Sequence, residues 1–204
     1  MDIDYFSNKE LREMGFKKLG KRVLICRTCK IYHTDEIEIG DDVEIDDFTV
    51  LNGNIKIGNH IHISSNCELY NGQSHIEIAD FCGISSHCSF YGITDDYVGP
   101  YMNNPTVPPR FRKLTEAPII LDKHVLIATH CVVLPGVHIG EGCSFGAMSM
   151  ISRDCEPWGV YVGCPARRIK ERDRGILDKA EELIASEAAR EARAAARKAA
   201  RGNG

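Results

Sequence analysis

Residues 94–118 concentrate side chains that could bind or transform a substrate. We assign substrate binding to the tyrosines, amides and arginines of this segment, namely Tyr97, Tyr101, Asn103, Asn104, Arg110 and Arg112. Guanidinium groups bind phosphates through paired hydrogen bonds, so the basic group would suit a nucleotide-linked sugar, although it would equally suit CoA or only keep the segment hydrated. Long segments without periodicity are usually functional or disordered, and the dense aromatic and polar groups here favour function.

Nine cysteines offer a second kind of chemistry, because thiols bind metals and form disulfides. Cys26 and Cys29 have the C-x-x-C spacing of some metal sites. Neighbouring positions on one strand point to opposite faces, however, and no second pair is present to complete a tetrahedral site. We therefore expect no metal.

A six-residue repeat must position these groups. From Ile39 the chain reads as frames that each open with an aliphatic residue, as in residues 39–44 and 57–62, and the frames resume after the 94–118 segment at Leu121. The fifth position of each frame is small or branched. A period of six fits neither a helix nor a flat sheet. It places a short strand and a corner in every frame, so that three frames close a triangular coil and coils stack about 4.8 Å apart.

The same register explains most of the cysteines. The fifth, inward-pointing position is occupied by Cys29, Cys67, Cys82, Cys88, Cys131, Cys143 and Cys155. A free cysteine at such a position behaves as a small hydrophobic residue. The pattern predicts an all-β solenoid over residues 23–170, interrupted once by the 94–118 segment.

These frames resemble those of the hexapeptide-repeat acyltransferases, in particular the galactoside, maltose and polysaccharide-precursor acetyltransferase branch. The resemblance implies a left-handed parallel β-helix. It also implies transfer of an acetyl group from acetyl-CoA to a hydroxyl or amine of a sugar or nucleotide-linked (amino)sugar, in polysaccharide precursor biosynthesis. Members of the family form homotrimers whose active sites lie between subunits, and we expect the same here.

The resemblance assigns the CoA site to the C-terminal coils. The residues that match the family's turn residues and its conserved ending are Ala128, Thr129, Gly146, Ala147, Ser152, Pro165, Ala166, Arg167 and Lys170. In that ending, residues 163–170, Arg167 and Lys170 match the cations that meet the nucleotide phosphates.

The catalytic base is where the chain departs from the family. The galactoside and maltose enzymes have a histidine where residues 91–96 place Asp95, beside Asp96. An aspartate with an ordinary pKa near 4 is a weak base at neutral pH. An amine acceptor, once neutral, is a better nucleophile than a hydroxyl and would need a less effective base. We take Asp95 with Asp96 as the catalytic pair. The alternatives are His87, His124 and His130, each at a corner position where solvent-facing histidines are common.

Two other functions remain open at this point. A γ-class carbonic anhydrase needs three histidines on one zinc, two of them five residues apart, and no two histidines here have that separation. A non-catalytic scaffold is favoured by the missing family histidine, but it would not need the decorated segment or the CoA-type ending.

The ends of the chain read as helices. Residues 7–10 match a capping box that opens a short helix before Gly15, and we expect residues 1–22 to cap the solenoid. Asp173 to about Arg201 reads as a second helix within residues 171–204.

No segment resembles a signal peptide or spans a bilayer, so we expect a cytoplasmic protein without a membrane partner. The net charge of −4 gives no reason to expect nucleic acid.

Overall fold

The computed structural model describes residues 4–202, with side chains through residue 195. Residues 1–3 and 203–204, which belong to the predicted terminal segments, lie outside the described residues. The chain divides into two compact units, one that ends at Arg172 and one that begins at Asp173.

The repeat forms three parallel sheets along the first unit, whose strands are numbered in chain order. The first sheet contains β1 (Lys18–Leu19), β4 (Glu38–Ile39), β7 (Ile55–Ile57), β10 (Ile76–Ile78), β15 (Ile119–Leu121) and β18 (His138–Ile139). The second contains β2 (Leu24–Ile25), β5 (Val43–Ile45), β8 (Ile61–Ile63), β11 (Gly83–Ile84), β16 (Leu126–Ile127), β19 (Ser144–Phe145) and β21 (Gly159–Val162), with β22 (Arg167–Glu171) antiparallel at its end. The third contains β3 (Lys30–Tyr32), β6 (Val50–Asn52), β9 (Glu68–Tyr70), β12 (Ser89–Tyr91), β17 (Val132–Val133) and β20 (Met150–Ile151).

Each coil passes from the first sheet to the second and then to the third, and the seven parallel strands of the second sheet mark seven coils. We call the bend between the first and second sheets the first corner, that between the second and third the second corner, and the return to the first sheet the third corner. Many corners contain one residue in the left-handed conformation, including His60, His87 and His130. Histidine and asparagine tolerate this conformation better than most residues, which explains why they recur at the corners.

The interior is apolar, as the repeat predicts. The opening residues of the frames, such as Ile39, Ile57 and Leu121, are buried, and so are all seven fifth-position cysteines. Several thiols donate to a backbone carbonyl of the next coil, as Cys88 Sγ does to Ala128 O at 3.2 Å. Burial raises the pKa of Cys82 to about 12, so this thiol stays protonated and unreactive at neutral pH. The structural interpretation of these cysteines is confirmed.

Helix α1 (Asn8–Glu13) begins at the predicted capping box, in which Ser7 and Glu10 bond reciprocally. Its Leu11 is buried in the solenoid core, as expected of a cap. Helix α2 (Ile176–Gly202) begins three residues later than predicted, because Asp173 accepts a hydrogen bond from Gly175 N in a turn that precedes it. Among the described residues, no helix is both long and apolar enough to cross a membrane.

The 94–118 segment leaves the solenoid at the third corner. Its ends form an antiparallel ribbon of β13 (Ile93–Asp95) and β14 (Leu114–Glu116), and a 3-10 turn covers Pro109–Phe111. Below and above this excursion the coils stay in register, since Ile76 pairs directly with Ile119. The ribbon was missed in the sequence because three-residue strands are too short to show a period.

Candidate active site

Four of the predicted CoA residues lie on the second corner, in consecutive coils. The corners of coils four, five and six are residues 85–88, 128–131 and 146–149. Ser85 N donates to Ile127 O and Ala128 N donates to Phe145 O, so each corner stacks on the next. Ala128, Thr129, Gly146 and Ala147 therefore line one edge of the solenoid. Such an edge offers backbone groups at regular spacing to an extended ligand.

Thr129 fixes the side chains next to it. Its hydroxyl donates to Ser86 O at 2.7 Å and lies 2.8 Å from His130 Nδ1. The hydroxyl thus connects the Ser86 carbonyl to the imidazole ring of His130. The exposed ring of His87 lies 4.7 Å from that of His130. Two of the three alternative bases, His87 and His130, thus border the predicted donor site.

Gly146 has a packing role as well. A Cβ at this position would lie 2.8 Å from Val162 Cγ1. The close approach of β21 therefore requires a glycine at this position, independently of the match to the family's Gly-Ala turn.

Three more of the predicted CoA residues meet at the C-terminal end of the solenoid. Ser152, Ala166 and Arg167 line one pocket of about 180 Å³, to which Arg153 and Arg168 also contribute. Ala166 N donates to Met150 O at 2.8 Å, which holds this segment against the third sheet. Three guanidinium groups around one pocket would suit phosphates. Neither Pro165 nor Lys170 lines this pocket. Lys170 lies on β22, where it pairs with Val160 of β21.

Asp95 lies on the ribbon at the third corner. Its Oδ1 is buried and has no hydrogen-bond partner among the described residues. Asp96 differs: its Oδ1 accepts hydrogen bonds from Gly99 N at 2.8 Å and Val98 N at 3.2 Å. These bonds make Asp96 a turn residue and lower its pKa. Asp96 is therefore a poorer proton acceptor than its predicted role beside Asp95 requires.

The remaining excursion residues divide into turn residues and cation–aromatic pairs. Asn104 Oδ1 accepts from Thr106 N at 3.0 Å. The Arg110 guanidinium stacks over Phe111, and the Lys113 ammonium lies 5.8 Å from the Tyr101 ring. Arg112 is half-buried, and its Nε has no partner among the described residues. Tyr97 and Asn103 are exposed.

The structure corrects the expectation for His124. It lies at the first corner, apart from both predicted sites, and it is 8% exposed rather than solvent-facing. Its ring stacks on Phe81 at 5.0 Å. Burial lowers its pKa, so the neutral imidazole is favoured. Trp158 likewise packs at this corner, buried above Gly142.

A polar groove of about 720 Å³, which the sequence did not reveal, lies at the third corner. Ile93, Leu114 and Glu116 of the ribbon line it, together with Asn52 and Asn71 from earlier coils. The short break in the frames at residues 73–75 was the available signal, because it widens this corner.

The donor residues of the second corner and Asp95 lie at opposite ends of the strands of the third sheet. The strand between them, Ser89–Tyr91, spans roughly 10 Å by itself. Reacting atoms must come within about 3–3.5 Å of each other. Within one chain, Asp95 therefore does not come within reacting distance of the donor residues at the second corner.

Comparison with known proteins identifies the family, although no family model matches the chain. The dTDP-4-amino-4,6-dideoxy-D-glucose acyltransferase of Escherichia coli is 38% identical over 177 residues, which cover 85% of this chain and 92% of that protein. The structure is similar to AntD, an N-acyltransferase from Bacillus cereus solved with dTDP and 3-hydroxybutyryl-CoA, with 40% identity and a TM-score of 0.89 over 91% of this chain and 98% of AntD. A hexapeptide-repeat acetyltransferase of Vibrio cholerae, 21% identical, shares the fold with a TM-score of 0.54 over 81% of this chain and 79% of its own.

These similarities to the E. coli acyltransferase and AntD cover 85% and 91% of this chain. They confirm that the solenoid is the left-handed parallel β-helix that the resemblance implied, and that the chain is an enzyme. It belongs to the hexapeptide-repeat acyltransferases, the family that includes the dTDP-aminosugar acyltransferases.

Proposed function

We propose that this acyltransferase moves an acyl group from acyl-CoA to the amine of a nucleoside-diphosphate-linked aminosugar. One observation carries the proposal. Within the described residues, the two buried side-chain atoms without a hydrogen-bond partner are Asp95 Oδ1 and Arg112 Nε, and both belong to the excursion. Buried polar atoms are normally paired, so an acceptor and a donor left over in one loop favour a polar ligand there.

The relatives support an amine and a nucleotide. AntD is described as an N-acyltransferase, and it has been solved with dTDP-4-amino-4,6-dideoxyglucose and CoA. The E. coli relative is named for the same aminosugar. An amine also suits an aspartate base, because a neutral amine attacks a thioester without first losing a proton.

In the proposed reaction the neutral amine attacks the thioester carbonyl carbon. The C–N bond forms and the C–S bond breaks, the proton of the amine passes to Asp95, and CoA leaves as a thiolate. Asp95 then gives this proton up to the thiolate, directly or through water, and returns to the carboxylate form. Asp95 acts as the general base, and no acyl-enzyme forms, because most thiols face the solenoid interior.

The cations of the excursion would hold the diphosphate. Arg110, Arg112 and Lys113 form no ion pair with a carboxylate among the described residues. The two guanidinium charges therefore remain available to an anionic ligand. The charge of Lys113 also acts on Asp96, where it adds to the lowering of the pKa by the hydrogen bonds from Gly99 and Val98. The exposed rings of Tyr97 and Tyr101 lie in the same segment and would contact the base or the sugar.

The donor would extend along the second corner, past Ala128, Thr129, Gly146 and Ala147, with its nucleotide phosphates near Ser152 and Arg167. We expect acetyl-CoA as the donor. AntD was solved with 3-hydroxybutyryl-CoA, so the size of the acyl group is a variable of the test.

We further propose a homotrimer in which the excursion of one subunit reaches the second corner of the next. The separation of Asp95 from the donor residues within one chain supports this arrangement. A cytoplasmic location and a role in polysaccharide precursor synthesis remain predictions.

The first experiment is a thiol-release assay with acetyl-CoA and 3-hydroxybutyryl-CoA. The acceptors are dTDP-4-amino-4,6-dideoxyglucose, the corresponding sugar with a hydroxyl in place of the amine, and simple aminoglycosides. We expect turnover with the nucleotide-linked amine alone. Turnover only with the hydroxyl sugar would contradict N-transfer, and no turnover with any acceptor would favour the scaffold.

A complementation experiment tests the intersubunit site. Asp95→Asn removes the base, and Ala147→Trp blocks the second corner at an exposed position. If each site uses Asp95 from one subunit and the corner from its neighbour, random mixing of the two inactive variants restores about a quarter of the sites of a trimer. Sites formed within one chain would give no recovery.

A further inference from the structure

The polar groove at the third corner is used by neither the donor site nor the cationic part of the excursion. Its charged lining groups are the carboxylates of Glu36 and Glu116, and neither lysine nor arginine lines it. Carboxylates only accept hydrogen bonds when ionised. The groove therefore suits groups that donate, such as sugar hydroxyls and a protonated amine, and it disfavours phosphate.

Asn71 provides an independent indication of a ligand. It is 2% exposed and lines the groove. Its amide nitrogen donates to Ser74 O at 2.7 Å. Its Oδ1 accepts no hydrogen bond from the described residues and, unlike Asp95 Oδ1, is not fully enclosed by the protein. A Cβ on Gly53, which has φ +101°, would lie 1.8 Å from that oxygen. The glycine thus leaves room for the Asn71 carboxamide at the wall of the groove, with one acceptor unused.

The register of the ribbon connects the groove to Asp95. Ile93 pairs with Glu116 and Asp95 pairs with Leu114. Residues directly opposite each other on antiparallel strands share a face, and so do alternate residues of one strand. Because Ile93, Leu114 and Glu116 all line the groove, Asp95 lies on the face of the ribbon that borders it.

We propose that this groove binds the hexose ring of the acceptor, with Glu116 and Asn71 as specificity-determining residues that receive hydrogen bonds from its hydroxyl or amino groups. This inference rests on the proposed function, since it assigns the sugar of a nucleotide-linked acceptor to a site beside Asp95. It separates the acceptor site into an acidic part for the sugar and the basic excursion for the diphosphate.

The test measures binding by calorimetry without acyl-CoA, so it does not depend on turnover. The probes are dTDP-4-amino-4,6-dideoxyglucose and dTDP. Glu116→Gln keeps the shape and the hydrogen bond to Gln73 N but removes the charge. We expect it to weaken the aminosugar nucleotide about tenfold while the Kd of dTDP stays unchanged, because a charged hydrogen bond to the sugar is lost. Glu36→Gln, which changes the other acidic lining residue, should act in the same direction.

Glu156→Gln is the matched control, because it removes an exposed carboxylate far from the groove, at the last coil. Equal weakening of both probes by Glu116→Gln, or no change in either, would overturn the groove assignment. So would wild-type protein that binds the aminosugar nucleotide no better than dTDP. Selective loss in Glu116→Gln without turnover in wild type would leave the groove standing and refute the proposed function. Turnover in wild type, together with a Glu116→Gln variant that binds both probes normally, would refute the groove assignment and leave the proposed function standing.

Discussion

The second and third corners begin from the same six-residue frame, and the proposed function assigns them to different ligands. At the second corner three consecutive coils repeat one backbone conformation, so that Ser85, Ala128 and Gly146 stack with regular hydrogen bonds. The groups available there are small side chains and main-chain atoms. At the third corner the frame is broken by the excursion, and the available groups are individual carboxylates, amides and guanidinium groups.

This difference indicates how one repeat fold can provide two kinds of binding site. A regular corner gives a linear array of backbone groups, which suits a long ligand common to many relatives, such as a pantetheine arm. A particular acceptor needs side chains in an irregular arrangement, and the excursion provides them. The insertion leaves the solenoid intact, since Ile76 pairs with Ile119 across it, and the entropy of loop closure grows only slowly with length.

The largest expected effect follows from Asp95→Asn. The substitution keeps the size of the side chain and removes the base, so we expect the transfer rate to fall by about 10²–10⁴-fold. The Kd of CoA should stay within about twofold, because the donor corner is untouched. Thiol release and calorimetry provide the two measurements.

Asp96→Asn is the neighbouring control. Its carboxylate holds the turn at Gly99, so its loss should loosen the excursion and lower the rate far less. An Asp95→Asn variant with near-normal turnover would remove the base from the third corner. The search would then move to His87 and His130 at the second.

The regular part of the molecule was predictable because its signal repeats. Aliphatic residues such as Ile39 and Ile57 recur every sixth position, and their burial needs no knowledge of distant residues. The inward cysteines follow from the same register. The capping box at Ser7 is equally local, since its partner Glu10 is three residues away.

The irregular part was only partly predictable. Residue types pointed to the excursion, but the ribbon depends on pairing Ile93 with Glu116, which no short pattern reveals. The groove depends on Asn52, Asn71 and Glu116, which come from separate coils and meet only when the solenoid is folded. His124 was expected in solvent because its frame position is a corner, and only the stack with Phe81 shows it buried.

The next largest effect is expected on dTDP binding, from the arginines of the excursion at the third corner. Arg112→Gln should weaken dTDP binding about tenfold or more, because a partly buried charged donor loses its phosphate partner. Arg110→Gln should weaken it less, since the Arg110 guanidinium is exposed. Arg12→Gln on helix α1 is a matched control of equal charge. Loss of CoA binding instead of dTDP binding would reassign these cations to the donor.

A smaller effect is expected at the donor end. Arg167→Gln should raise the Kd of CoA about fivefold, and the difference from wild type should shrink in high salt, because an exposed cation is screened. The Kd of dTDP should not change. Calorimetry at low and high ionic strength measures both. An Arg167→Gln variant that weakens dTDP would break the division of ligands between the two corners.

The first corner should contribute to stability alone, which His124→Gln tests. We expect its transfer rate to stay within about twofold of wild type, because His124 lies away from both sites. Burial lowers the pKa of His124 in the folded state, so the unfolded chain binds the proton more readily. This linkage costs the wild type stability as the pH falls below about 6.5, the ordinary histidine value.

The free energy of unfolding should therefore decline less between pH 7.5 and pH 5.5 in His124→Gln than in wild type, as measured by urea denaturation. His87→Gln, at an exposed position of the second corner, is the control for histidine loss in general. An equal decline in all three proteins would mean that the His124 ring is protonated as easily in the fold as in solution. A large loss of turnover in His124→Gln would instead bring the first corner into the catalytic site.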